Sequence, residues 1–141
     1  MRILGVDYGR KRLGIAVSDE SEFLASPRKT MLRSRSLDSD LTKLKKLVVD
    51  EDVKWIVVGL PLNMDGSHGP MAEEASAFAA RLHAVSGLPV DLFDERLTSS
   101  EAERVLVEAD VSRGQRKTLR DSLAATLILQ GFLDRRRNVT E

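Results

Sequence analysis

Several carboxylate side chains in this sequence directly follow apolar segments that have the composition of buried strands. Asp7 ends the run Ile3-Leu4-Gly5-Val6, and Asp94 with Glu95 follows the run 90–93. Ligands of α/β sheets lie beyond the carboxyl ends of the strands, so these acids are expected at one edge of a sheet. The strand argument alone does not choose between Asp94 and Glu95.

A further acid, Asp121, lies in a segment that is predicted to be helical. Ala124, Ala125 and Ile128 follow it at i+3, i+4 and i+7, so Asp121 is expected on or beside an apolar stripe that faces the sheet. A carboxylate in such a place is unfavourable unless it is paired or bound to a cation. Lys117, at i−4, is one candidate partner.

Acids from three separate elements, in a chain with no cysteine and two histidines, favour a site for a hard cation. Mg²⁺ and Mn²⁺ prefer carboxylate oxygens. Two such ions about 4 Å apart can activate a water and stabilise the leaving oxygen of a phosphodiester. In the structural alternative, Asp7 and Asp94 cap turns and Asp121 pairs with Lys117 or Arg96. The number of acids placed together favours the metal site.

The elements that must position these acids follow from hydrophobic periodicity. Strands are predicted near residues 3–6, 13–17, 24–31, 55–58 and 90–93, and helices near 36–51, 70–86, 98–109 and 118–135. This order predicts an α/β fold with a mixed five-stranded sheet and helices on both faces. The three leading strands would be antiparallel, and the later strands would form parallel βαβ units.

Length and composition limit the class of protein. With 141 residues, 42% of them hydrophobic and 31% charged, the chain fits a single folded domain, residues 1–141, and excludes a mostly disordered protein. The apolar runs are too short to span a bilayer, and Asp7 interrupts the first of them, so no signal peptide is expected. We expect an intracellular protein with no membrane partner, in which residues 135–141 form a flexible basic tail.

The net charge of zero conceals an uneven distribution. Residues 1–50 carry a charge of +4, residues 51–110 carry −8 and residues 111–141 carry +4. Basic flanks of this kind could hold a polyanion. Arg10, Lys11 and Arg12 are candidate contacts to a phosphate backbone, and Asn63 and Asp65, in a loop after the strand at 55–58, are candidate contacts to a substrate.

The sequence resembles the YqgF family, small bacterial proteins described as pre-16S rRNA nucleases or Holliday-junction-resolvase-like proteins. The resemblance covers nearly the whole chain and rests on four blocks: residues 7–19 (DYGRKRLGIAVSD), residues 57–66 (VVGLPLNMDG), residues 94–102 (DERLTSSEA), and Lys117 with Asp121, Ala124, Ala125, Ile128 and Leu129. It implies an RNase H-like fold and a cytoplasmic nuclease that trims the 5′ end of precursor 16S rRNA.

The resemblance also implies Mg²⁺ or Mn²⁺ as cofactor, with Asp7, Glu95 and Asp121 as catalytic metal ligands. It thereby selects Glu95 over Asp94, which is left a supporting role. We assign Asp7 to bridge two ions, with Glu95 and Asp121 completing their shells. Arg96 or Lys117 would neutralise the phosphate or the developing charge.

Other functions remain open at this point. A resolvase acting on branched DNA would use the same chemistry as a dimer, so both monomer and homodimer are considered. An ATP-binding protein of the actin-like type needs two such lobes, and this chain has room for one. A non-catalytic RNA-binding module is poorly supported, because such modules stack bases on aromatic side chains and this chain has only six aromatic residues. Precursor 16S rRNA, either free or on pre-ribosomal particles, is the favoured partner.

Overall fold

The fold is built from five strands and three helices in the residues that the computed structural model describes, 1–97 and 113–140, with side chains of the last helix described over 122–138. The helix expected over 98–109 lies outside the described residues. The strands are β1 (Arg2–Asp7), β2 (Arg12–Ser18), β3 (Ala25–Leu32), β4 (Val53–Leu60) and β5 (Val90–Asp94). The helices are α1 (Leu37–Asp50), α2 (Pro70–Ser86) and α3 (Arg113–Thr140), and a 3-10 turn spans Glu95–Leu97.

The strands form one mixed sheet in the order β3-β2-β1-β4-β5. β1 pairs antiparallel with β2 and parallel with β4, and β4 pairs parallel with β5. The predicted mixed five-stranded sheet is confirmed. Because β1, β4 and β5 run in the same direction, their carboxyl ends meet at one edge, and Asp7 lies at that edge on the central strand.

The sheet is covered on both faces, as expected from its nearly continuous apolar strands. Residues of α1 and α2, among them Leu41, Leu44, Phe78 and Leu82, form one core with the sheet. On the opposite face α3 forms a second core through Ala125, Ile128, Leu129 and Leu133. The apolar stripe predicted to follow Asp121 is therefore the face of α3 that packs on the sheet.

Two glycines let α3 lie close against the central strands. A Cβ atom on Gly5 of β1 would be 2.8 Å from Leu129 Cβ, and one on Gly59 of β4 would be 2.4 Å from Ile128 Cδ1. Both distances are shorter than packed carbon atoms tolerate. The absence of side chains at these positions fixes the spacing between α3 and the strands.

The last helix is longer than the sequence indicated, beginning at Arg113 and ending at Thr140. Its ends are polar and carry little apolar periodicity. Within the segment expected to be a flexible tail, residues 135–140 continue the helix. The Arg136 guanidinium lies 5.2 Å from the ring centroid of Trp55, and that of Arg137 lies 4.7 Å from the ring centroid of Phe23. No helix among the described residues is long and apolar enough to cross a membrane.

Candidate functional site

Asp7 occupies the end of the central strand, where an apolar segment gives way to a turn. The four residues before it are fully buried, and Asp7 itself is partly buried. Burial raises the pKa of the Asp7 carboxyl above its ordinary value, and a hydrogen bond from Glu95 partly offsets this. A carboxylate is therefore held at the sheet edge in an environment that disfavours its charge.

Glu95 reaches Asp7 from the end of β5, which is separated from β1 by β4. It begins the 3-10 turn after β5, whose last residue, Asp94, pairs with Leu60 of β4. Burial, the charge of Asp7 and the hydrogen bond with Asp7 raise the pKa of Glu95 to about 7. When protonated, Glu95 donates a hydrogen bond to Asp7, and a bound cation could take the place of that proton.

The bare backbone of Gly59 lies beneath the Glu95 side chain. A Cβ atom at this position would be 3.2 Å from both Cγ and Cδ of Glu95. Gly59 thus provides the space in which the carboxyl group turns toward Asp7. Gly59 is one residue of the block 57–66, and no spacing in the sequence connects it with Glu95.

Asp94 faces a different partner from Glu95. Its carboxylate accepts hydrogen bonds from Arg96 Nε at 3.1 Å and Nη2 at 2.8 Å, and this pairing lowers the Asp94 pKa. Arg96 also donates from Nη1 to the Met64 carbonyl at 3.2 Å. In the structure Glu95 faces Asp7 and Asp94 anchors Arg96, and the choice of Glu95 as the metal ligand stays a prediction.

Arg96 fastens the loop after β4 to the turn that carries Glu95. Within that loop Asn63 Nδ2 donates to Ser67 Oγ at 3.0 Å, and the Ser67 hydroxyl donates to Asp65 Oδ1 at 2.6 Å. Gly66 adopts a φ of 85°, which the turn requires. These hydrogen bonds of Asn63 and Asp65 stabilise the loop. Contact of the two side chains with a substrate stays a prediction.

The basic turn between β1 and β2 is attached to α2. Arg10 Nη2 lies 2.5 Å from Glu74 Oε2, and the Tyr8 hydroxyl donates to the other oxygen of Glu74 at 3.1 Å. Lys11 and Arg12 are exposed. Arg10, predicted as a phosphate contact, is therefore engaged in a structural ion pair that holds the turn directly following Asp7.

For Asp121, the third predicted metal ligand, the structure describes the backbone only. Asp121 lies in α3, one residue before the fully buried Ser122, but its side chain and that of Lys117 are outside the described residues. Among the side chains that the structure describes, no group of three His, Cys, Asp or Glu residues could hold a metal ion. The structure thus brings Asp7 and Glu95 together, and the place of Asp121 beside them stays a prediction.

The metal-free protein is expected to lose stability as the pH rises from about 4.5 to about 7. Glu95 ionises near its ordinary value of 4.5 in the unfolded chain but near 7 in the folded one. Between these values the folded state holds the extra proton, so raising the pH disfavours it, and stability levels off above 7. Because the site is partly exposed, the loss should be about 1–2 kcal/mol.

Urea denaturation with a chelator present, at about pH 5 and about pH 8, measures this loss. The Glu95→Gln variant should lose less stability over the same interval, because it carries no proton to release. An identical loss in the variant and the parent would contradict the assignment.

The sequence of this chain matches a known protein family and its members. A family model described as RuvX, Holliday junction resolvase, matches residues 1–135. A protein of Moorella thermoacetica named "Putative pre-16S rRNA nuclease" is 53% identical over 135 residues, covering 96% of each chain. A protein of Symbiobacterium thermophilum with the same name is 49% identical over 136 residues, covering 96% of this chain and 94% of the relative.

Solved structures match the fold. Thermus thermophilus RuvC superposes with a TM-score of 0.63 and 14% identity, covering 98% of this chain and 97% of that one. The same protein in complex with a Holliday junction substrate gives a TM-score of 0.58, again at 14% identity, over 96% of both chains. The fold is therefore RNase H-like, as the resemblance implied.

Proposed function

This chain belongs to the RuvX (YqgF) family of nucleases, and on that premise we propose that it is a metal-dependent hydrolase that cleaves RNA phosphodiesters. The observation that carries the proposal is the pairing of Asp7 with Glu95. Two carboxyl groups share a partly buried place at the carboxyl edge of β1, β4 and β5, and the Glu95 pKa is raised to about 7. Carboxyl groups with pKa values raised by burial and by each other are typical of functional sites. A cation bound between Asp7 and Glu95 would favour the ionised form of both.

The donor set fits Mg²⁺ or Mn²⁺, since Asp7 and Glu95 supply hard carboxylate oxygens and no thiolate is present in the chain. When bound, two such ions would activate a water and neutralise the leaving oxygen. We assign Asp7, Glu95 and Asp121 as the residues that hold them. Asp7, at the end of the central strand, would help to hold both ions.

The remaining site residues would bind and orient the nucleic acid. Arg96, whose partly exposed guanidinium pairs with Asp94, would neutralise a phosphate. Lys11 and Arg12 would contact the backbone from the turn after β1, with Lys117, Asn63 and Asp65 as further contacts. Arg10 would act mainly by fixing that turn through Glu74.

We propose precursor 16S rRNA, processed at its 5′ end, as the substrate. The proposal is supported by the name that the relatives at 53% and 49% identity carry. The protein would act in the cytoplasm on free precursor or on pre-ribosomal particles, as a single nuclease domain in a monomer or homodimer.

Branched DNA is the second candidate substrate. It is favoured by the family description and by the match to RuvC bound to a Holliday junction. Symmetric cleavage of a four-way junction requires two active sites, so this function predicts a dimer.

One cleavage assay distinguishes the two substrates. Precursor 16S rRNA, a four-way DNA junction and single-stranded oligonucleotides are each incubated with the protein and Mn²⁺, with Asp121→Asn as the control. Preferred cleavage of the precursor supports the first function, and preferred cleavage of the junction supports the second. Cleavage of none of the three, or equal cleavage by Asp121→Asn, would contradict the nuclease proposal.

Divalent cations are expected to raise the melting temperature. Binding at about 100 times Kd stabilises the folded state by about 2.7 kcal/mol, which is about 5–10 °C for a domain of this size. Differential scanning fluorimetry with Mg²⁺ or Mn²⁺ against a chelator measures the shift. No shift at millimolar metal would count against a preformed site.

A further inference from the structure

Ser122 of α3 fills an interruption in the β2–β3 ladder. Leu13 pairs with Met31, but Ile15 pairs with Arg28, so β3 contains one residue more than β2 at this point. Such a bulge leaves backbone groups without ladder partners. The Ser122 hydroxyl accepts a hydrogen bond from the Ile15 N–H at 3.3 Å and donates one to the Arg28 carbonyl at 2.7 Å.

The hydroxyl of Ser122 uses its full hydrogen-bonding capacity at this bulge. A serine hydroxyl has one donor and two acceptor positions. Its donor goes to Arg28, so Thr30 Oγ1, 3.1 Å away, must donate to the second acceptor position. Ser122 is fully buried. The Ser122 hydroxyl thus connects α3 to β2 and β3 through one donated and two accepted hydrogen bonds.

This attachment is adjacent to two of the proposed metal ligands, to Asp121 along α3 and to Asp7 through β2. Asp121 is the preceding residue of the same helix, about 3.8 Å away from Cα to Cα. Across the sheet, Asp7 pairs with Gly14, the residue before Ile15. The Ser122 hydroxyl therefore joins the backbone that carries Asp121 to Ile15, the residue of β2 next to the one that pairs with Asp7.

We propose that Ser122 is a positioning residue of the nuclease site, whose hydroxyl in the β2–β3 bulge fixes where Asp121 stands relative to Asp7. The inference rests on the proposed function, in which Asp121 holds the metal. A helix turns about 100° per residue, so a small rotation or slide of α3 at this point displaces the next side chain. The bulge and the hydroxyl together prevent that movement.

Replacing Ser122 by alanine is expected to weaken metal binding. Loss of an interaction that orients a ligand typically weakens affinity by 10–100-fold, and we expect about tenfold for Ser122→Ala. The measurement is a titration of the melting temperature with Mn²⁺, in which the concentration giving half of the maximal shift should rise by that factor. Cleavage at limiting Mn²⁺ should fall and recover at high Mn²⁺.

Ser18→Ala is a matched control. Its hydroxyl is also buried, accepts from the Ile3 N–H at 2.9 Å and donates to the Asp19 carbonyl at 3.0 Å. It lies level with Ile3, about 13 Å along β1 from Asp7. This variant should lose stability but keep the parent's Mn²⁺ response. An equal loss of Mn²⁺ affinity in both variants, or in neither, would overturn the inference.

A double variant tests whether Ser122 acts through Asp121. If it does, Ser122→Ala in an Asp121→Asn background should produce no further loss of Mn²⁺ affinity. An additive loss would show that the hydroxyl acts independently of that ligand, contrary to the inference.

Hydrogen exchange in the parent protein gives a test that needs no variant to fold. Metal held by Asp121 should restrain α3, so Mg²⁺ should slow exchange of the Ile15 amide more than that of the Ile3 amide. Equal slowing of both would contradict the inference. If Mg²⁺ leaves the parent's melting temperature and cleavage unaffected, the proposed function itself fails, whereas a normal metal response with equal slowing defeats only the role of Ser122.

Discussion

Asp7→Asn is expected to abolish metal-dependent cleavage of structured RNA while leaving the fold intact. The change keeps the shape of the side chain but removes the charge at the end of the central strand. Loss of several kcal/mol of transition-state stabilisation corresponds to a fall in rate of about 10³-fold or more. A cleavage time course with Mn²⁺ measures the rate, and circular dichroism checks the fold.

The stability of Asp7→Asn provides an independent readout. Without metal the variant should be at least as stable as the parent, because the substitution removes a carboxylate that burial and Glu95 disfavour. Asp52→Asn is a suitable control, since Asp52 is exposed, pairs with Lys54 and adopts a φ of 54° that asparagine tolerates. It should cleave like the parent. Full cleavage by Asp7→Asn would exclude the proposed mechanism.

Gly59→Ala is expected to lower both the cleavage rate and the stability of the protein. The new methyl group would lie 2.4 Å from Ile128 Cδ1 and 3.2 Å from Glu95 Cγ and Cδ. The first overlap should cost about 1–3 kcal/mol of stability, as overpacking commonly does. The second requires the Glu95 side chain to shift by a few tenths of an ångström where it faces Asp7. A misplacement of about 1 Å can lower a rate by about 10²-fold, so we expect a smaller fall of about tenfold.

Combining Gly59→Ala with Ile128→Val separates the two overlaps. Valine lacks the Cδ1 atom, so the double variant should recover stability while its cleavage rate stays low. The added methyl would still contact Glu95. Recovery of cleavage together with stability, measured by urea denaturation and initial rates, would mean that Gly59 serves only to seat α3.

The sequence was sufficient to predict the sheet because its strands are nearly continuous apolar runs. The buried residues include Ile3, Leu4 and Val6 of β1 and Ile56, Val57 and Val58 of β4. Strands that are buried on both faces are recognised by a continuous apolar run and not by alternation of apolar and polar residues. Parallel pairing of these strands then places the residues after them at one edge. The meeting of Asp7 with Glu95 follows from that topology, whereas the choice of Glu95 needed the family resemblance.

Contacts between residues distant in sequence could not be predicted in the same way. Arg10 and Glu74 are 64 positions apart, and the Ser122 hydroxyl reaches the Ile15 amide across 107 positions. Neither pair produces a local spacing pattern. Gly59 was likewise uninformative, because its importance depends on the side chains of Ile128 and Glu95 that fold onto it.

The strand order has a consequence for a chain that is still being synthesised. β1 lies between β2 and β4, and β5 is added outside β4, so Glu95 reaches its place only after β4 has paired with β1. A nascent protein on the ribosome therefore carries Asp7 without its partner until the later strands emerge. On the proposed function, the site could hold metal and cleave RNA only after the segment that carries α3, which follows β5 in the chain, has also been synthesised.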